Sequence, residues 1–281
     1  MKKRRGEDGP FYGKGPHDGF HVLKDAWKQR TFLAAQCLEL ARDLRRAIDT
    51  TFKEAPTRTR EQLRLDLDHR SRLPPEQMGI SKKHPGRERP SEERLLERAI
   101  YDRFRLGGGS PVCDLWSGLV TFQYALFDNR GRDDWGAVDL LGSVMGRPLV
   151  VELKARNNVE PPLRAILEAA SYAIALRRNW DTFSPLFADH LRRFGETADT
   201  LRDGAIPLLV LAESTYWENW CTTGKIGARR PPETWTNLRL LVATLATHGY
   251  PVVFGSVTAR RSPGRKVFDE ASIGVTRVDF V

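Results

Sequence analysis

The chain has 281 residues, 40% of them apolar, with a net charge of +9 and a pI near 9.7. That length suits one large domain or two small ones, and no apolar run approaches the ~20 residues that span a bilayer. Cys37, Cys113 and Cys221 are spaced neither as a zinc site nor as a disulfide framework. The opening "MKKRRGEDGP" is basic but leads into no apolar segment. A secretory signal is therefore not expected, and a cytoplasmic protein is. Residues 1–90 hold 21 Lys and Arg against 13 Asp and Glu, which leaves the rest of the chain almost neutral. Such a basic lobe is the usual footprint of a nucleic-acid partner, and equally fits a solvated tail.

In chain order, Trp27, Phe32, Leu33, Cys37, Leu40, Leu44 and Ile48 recur at helical steps and predict a helix over 24–48. A second short helix is expected over 59–69. Residues 71–90, with four prolines and many charges, read as a linker. Residues 1–90 thus form a small, basic, helical N-terminal region, and 91–281 a second unit. Ser91 is a good N-cap, with Glu92 and Glu93 in the first turn of a helix that "GGGSP" stops. Strands are expected over 119–128, 135–144 and 148–156. A helix over 163–178 and a helical insertion over 184–202 follow. "IPLLVLAE", apolar on both faces, predicts a central strand over 206–213. A helix over 232–248, a strand at "PVVFGSVT" and a final edge strand at "SIGVTRVDFV" complete an α/β fold with a mixed sheet.

The stretch "WGAVDLLGSVMGRPLVVELKAR" carries acids inside strand-forming runs. A hairpin turning between Met145 and Gly146 sets Asp139 directly opposite Glu152, with Cα atoms ~4.5–5.5 Å apart. Alternation puts Glu152, Lys154 and Arg156 on one face and Leu149, Val151, Leu153 and Ala155 on the other, core face. Facing carboxylates repel unless water, Lys154 or a bound divalent cation relieves them. A hard cation such as Mg²⁺ takes one or two carboxylates plus water and phosphate oxygens, and Lys154 beside it would position or deprotonate a water. The same residues would also fit a solvated strand face.

The run Gly136-Ala-Val-Asp139, twelve residues, then Glu152-Leu-Lys154 resembles the active-site signature of the PD-(D/E)XK nuclease superfamily. Val138 stands where proline often precedes the Asp. The α-β-β-β-α-β order is similar to that superfamily's core, over about Ser91 to Thr258. The resemblance implies a restriction-endonuclease-like fold and hydrolysis of phosphodiester bonds, with DNA the favoured substrate. It implies Mg²⁺, with Mn²⁺ as the alternative, held by Asp139, Glu152 and the Leu153 carbonyl, and Lys154 assisting the water. The family often adds a first-helix glutamate; Glu93 and Glu97 are the candidates, Glu97 being favoured. Glu168 and Tyr172 are four apart on one face of the following helix, with Arg164. RecB-like members carry Gln and Tyr at that spacing to meet substrate; here the first is Glu, and a surface pair fits as well. Tyr216, Trp217 and Trp220 with Lys225, Arg229 and Arg230 would suit unpaired bases and phosphate, or a packed loop with a basic end. The N-terminal region would grip nucleic acid or a protein partner. A catalytically silent nucleic-acid-binding or scaffold protein of the same fold is the alternative to a nuclease.

Overall fold

The computed structural model describes residues 34–55, 57–61, 63, 92–108, 111–112, 115–124, 137–158, 160–197, 204–222, 232–262 and 268–279. The expected linker over 71–90, the Ser91 cap and the basic residues Lys225, Arg229 and Arg230 lie outside the described residues. Helix α1 is Ala34–Glu54 and α2 is Glu92–Phe104. Strands β1, Gly118–Tyr124, β2, Val138–Val144, and β3, Arg147–Lys154, follow. Next come α3, Pro162–Arg178, α4, Trp180–Arg193, and β4, Leu208–Glu213. A short α5, Ser214–Trp217, continues as a π-helical turn, Glu218–Thr222. Helix α6, Pro232–Thr247, and strands β5, Val252–Arg261, and β6, Phe268–Val278, end the chain.

The six strands lie in sequence order in one mixed sheet. β1, β2 and β3 are antiparallel neighbours, β3, β4 and β5 are parallel, and β6 returns antiparallel. All six residues of β4 are buried, as expected of a central strand apolar on both faces. The β2–β3 hairpin turns at Met145 and Gly146, with φ of 49° and 75°. Two consecutive positive φ values match the right-handed strand twist, and Gly146 meets that demand without a Cβ clash. The turn fixes the register from Val144↔Arg147 back to Leu140↔Val151.

Each face of the sheet carries its own core. On one, Leu96, Ile100 and Phe104 of α2 meet Leu119, Leu140, Val151, Leu153, Leu209 and Leu211. On the other, α3 and α6 pack over Val120, Leu141, Val150, Leu208 and Val210. Helix α1, part of the expected N-terminal region, buries Cys37, Leu40, Leu44 and Ala47 in this second core. It runs on to Glu54, where Thr51 is buried and its hydroxyl donates to the Ala47 carbonyl. Of the second short helix expected over 59–69, residues 60, 61 and 63 form turns, and 62 and 64–69 lie outside the described residues. Tyr124 pins that segment by donating its hydroxyl to the Leu63 carbonyl at 2.8 Å. Leu44, 1% exposed, reports on this docking. Leu44→Ala is expected to cost about 2–5 kcal/mol in urea unfolding, against under ~1 kcal/mol if α1 were only loosely attached.

Helix α3 buries its polar face, with Glu168 and Tyr172, as well as its apolar one. Its residues from Pro162 to Leu176 are buried at every position but Arg164, so it has almost no solvent face. Five alanines let it pass close to the sheet and its neighbours. Among the described residues, no helix is long and apolar enough to cross a membrane.

Candidate active site

Parallel strands β3, β4 and β5 end at one edge of the sheet, and polar side chains collect there. An α/β sheet places ligand sites at this edge, because strand ends and helix starts leave a crevice. The β2–β3 ladder is paired as far as Leu140↔Val151; one further step on that register puts Asp139 across from Glu152. The Asp139 carboxylate leans over the ladder's end, and its Oδ2 accepts the Leu153 N–H at 2.8 Å.

A local roll of the chain aims this group. Phe122 and Leu140 lie in the α2-side core, whereas Tyr124 and Val138, two residues away, lie in the α3-side core. Between them Gln123 has φ +48°, in the left-handed region that costs a non-glycine residue ~1 kcal/mol or more. The Gln123 amide nitrogen donates to Glu97 Oε2 at 2.6 Å and lies 3.4 Å from Asp139 Oδ1. Gln123 thereby ties the buried Glu97 of α2 to Asp139. It escaped the sequence reading, although an amide inside "LVTFQYALF" is a visible anomaly.

On the other side of the hairpin end, Glu152 and Lys154 are 5% and 3% exposed. Those values exclude the solvated strand face: α3 covers the strip. Lys154 Nζ lies 2.8 Å from each of Glu152, Glu160 and Glu168, so its three donors are all engaged. Arg164 closes the network, 2.7 Å from Glu160 and 2.8 Å from Glu168. Glu168 and Tyr172 are therefore neither a surface pair nor open to a polynucleotide. Glu168 is a buried brace for Lys154, and Tyr172 lies against the same acids. Glu160 has no spacing in the sequence that announces it; it enters through the loop after β3. There its N–H bonds Asn158 Oδ1, and its carbonyl accepts the Tyr216 hydroxyl at 2.9 Å.

The two first-helix glutamates divide the work. Glu97 is buried beside Asp139 through Gln123. Glu93 accepts the Ala155 N–H at 3.1 Å and the Asn158 amide at 3.2 Å, which locks the chain leaving β3. Glu213, at the end of β4, accepts the Arg156 N–H at 2.7 Å.

Tyr216, Trp217 and Trp220 are 0%, 6% and 2% exposed, so they do not offer a stacking platform. Tyr216 and Trp217 pack edge to face with centroids 5.1 Å apart, and Trp217 donates its indole N–H to the Gly255 carbonyl. The packed-loop expectation holds for these aromatics, in the form of α5 and its π turn.

The electrostatics record a crowd of acids. Burial, then the charge of Glu93, pushes Asp139 up to about 7. Burial, then Asp139, raises both Glu97 and Glu152 well above the usual carboxylate range. Burial would raise Glu168 too, but Lys154 and Arg164 outweigh it and hold that carboxyl low. Burial disfavours the Lys154 ammonium, yet Glu152, Glu168 and Glu160 overcome this and keep it charged.

Among the described residues, no three His, Cys, Asp or Glu side chains form a ready metal cage. The donor set nonetheless suits a hard cation. Asp139, Glu152 and the Leu153 carbonyl offer only oxygen, and Mg²⁺ commonly takes one or two carboxylates and fills the rest with water and phosphate. The raised Asp139 and Glu152 carboxyls mark a place where positive charge is wanted. Set against protein-family models, curated proteins and solved structures, the chain matches none of them.

Proposed function

We propose that the chain is a metal-dependent nuclease that hydrolyses phosphodiester bonds of DNA. The order α2-β1-β2-β3-α3-β4, with α4 inserted before β4, and the mixed sheet are in keeping with a restriction-endonuclease-like core. One observation carries the reading: one step past Leu140↔Val151 the β2–β3 hairpin ends in Asp139 and Glu152, the Asp139 charge acts on Glu152, and Lys154 Nζ lies 2.8 Å from Glu152. A cluster this rich in acid repels a phosphate unless a cation joins it. Asp139, Glu152 and the Leu153 carbonyl would hold Mg²⁺, with Glu97 held in reserve by Gln123. Bound there, the ion supplies Lewis acidity to the phosphoryl oxygens and lowers the pKa of water.

The remaining work falls to the chain. Glu152, Glu168 and Glu160 favour the charged form of Lys154, which would orient the attacking water and offset charge growing on the phosphate. To reach the water it must release one partner. Glu160 is the one to go, being 26% exposed and outside both strand and helix, whereas Glu168 is 4% exposed on α3. Glu168 and Arg164 then keep the ammonium on its side of the sheet.

Incubation with supercoiled plasmid and with single-stranded DNA, in Mg²⁺, Mn²⁺ or EDTA, tests the reading. Cleavage that needs the metal is expected. DNA bound but left intact with every metal would instead identify a silent binding protein, and DNA neither bound nor cut would remove both.

A further inference from the structure

Beyond the acid cluster, one arrangement at the same sheet edge has no part in holding a metal. Arg156 follows β3, Arg261 ends β5, and Glu92 opens α2. The guanidinium of Arg156 lies 3.0 Å from Glu92 Oε1, and that of Arg261 lies 2.6 Å from the same oxygen. Two cations share one carboxylate, so the trio keeps one net positive charge. Glu92 is 20% exposed, while Arg156 and Arg261 are 46% and 53% exposed. Each guanidinium thus reaches solvent while one end is fixed, and most of its five donors stay free for an anion.

The trio stands at the same end of the parallel strands as the acid cluster. Lys154 pairs with Ala212 and Glu213 with Val257, so Arg261 extends four residues, about 13 Å of strand, past the last paired level of β4. Arg156 is two residues beyond Lys154, and its N–H is tied to Glu213. The positive end of α2 faces the same rim through Glu92. An acid-lined centre flanked by an aimed pair of guanidiniums fits a polyanion better than an isolated phosphate monoester. A metal held by the acids would take one phosphate, and the arginines would take a neighbour.

We propose that Arg156 and Arg261, splayed by Glu92, grip a backbone phosphate next to the scissile one. The proposal rests on the nuclease reading for what lies at the centre, but its own observable is binding. Guanidinium forks contact phosphate regardless of base, so the grip tracks the backbone and reads no sequence.

The test uses the full chain and labelled duplex and single-stranded DNA, with anisotropy followed across a NaCl series in EDTA. R156A/R261A is expected to bind about tenfold more weakly, with a salt slope shallower by about one. R192A, which removes an exposed arginine of α4 paired with Asp189, serves as the charge control and should bind as the parent does. Melting temperatures of all three proteins establish that they are folded. In Mg²⁺ the double variant should lose rate at low DNA and recover most of it at saturation. Unchanged affinity and slope in R156A/R261A, or an equal loss in R192A, would overturn the clamp. A parent that binds DNA with this Arg-dependent slope but cuts none would retain the clamp and overturn the nuclease reading. A parent that cuts with no contribution from the arginines would do the reverse.

Discussion

Asp139→Asn is expected to lower Mg²⁺-dependent DNA cleavage by about 10²–10³-fold or more while the metal-free protein melts higher than the parent. The two effects have one cause. Burial and Glu93 make Asp139 hard to ionise, and its charge in turn raises Glu97 and Glu152. The asparagine keeps the shape, and its carbonyl still accepts the Leu153 N–H that Asp139 Oδ2 accepts now. Repulsion is lost and the Leu153 hydrogen bond is kept, which outweighs the loss of the long Gln123 contact, so Tm in EDTA should rise by roughly 3–6 °C near neutral pH. Loss of activity through misfolding would lower Tm, so the sign of the shift separates chemistry from folding. Lys154→Ala lacks this control. It strands Glu152, Glu160 and Glu168 without their shared cation, and breaking a buried pair in that way costs about 3–5 kcal/mol. Cleavage by Asp139→Asn at the parental rate would remove Asp139 from the reaction.

The hairpin shows what a sequence can say about such a site. Met145-Gly146 between two alternating strands sets the register, and that register, carried one step past its last pair, sets Asp139 across from Glu152. The unbroken apolar run of β4 likewise announces a strand covered on both sides. Helix α3 shows where that legibility stops. A helical wheel separates Glu168 and Arg164 from the apolar residues, but it cannot say whether the polar side meets water or a buried ammonium. The alanine-rich packing that admits Lys154 is a property of the assembled layers. Helix α1 has the same ambiguity: its stripe shows that something covers it, not that α3 and α6 do. Aromatics beside cations, as in 216–230, look alike whether they stack on bases or fill a core. Gln123 and Glu160 act through a backbone twist and a loop, and neither has a periodicity to betray it.

The response of stability to pH and metal tests the acid cluster independently of any substrate. Asp139 is raised from 3.8 to about 7, and Glu97 and Glu152 are also raised, so the native state holds protons that the unfolded chain has released. A raised carboxyl stabilises the fold below its unfolded pKa, and that stability is lost as pH climbs through the folded value. In EDTA, Tm should therefore fall between about pH 5 and pH 8 on account of these groups. Two other groups act differently. Glu168, held low, loses its contribution only on acidification below the ordinary carboxylate range. His190, which burial lowers to about 4, makes stability rise with pH up to its ordinary 6.5, against the trend. The difference between the parent and Asp139→Asn cancels the His190 contribution and isolates the cluster. Mg²⁺ bound to these carboxylates would replace the missing protons, so at ~100 times its Kd it should raise Tm by about 5–10 °C near pH 8. Near pH 5 it competes with protons already bound, and the rise should shrink to about 1–2 °C or less. Asp139→Asn should lose most of the Mg²⁺ response at either pH. An equal Mg²⁺ shift in parent and variant would place the ion elsewhere, and a parental Tm that rose towards pH 8 in EDTA as steeply as that of Asp139→Asn would mean that the carboxylates are not held above their ordinary range.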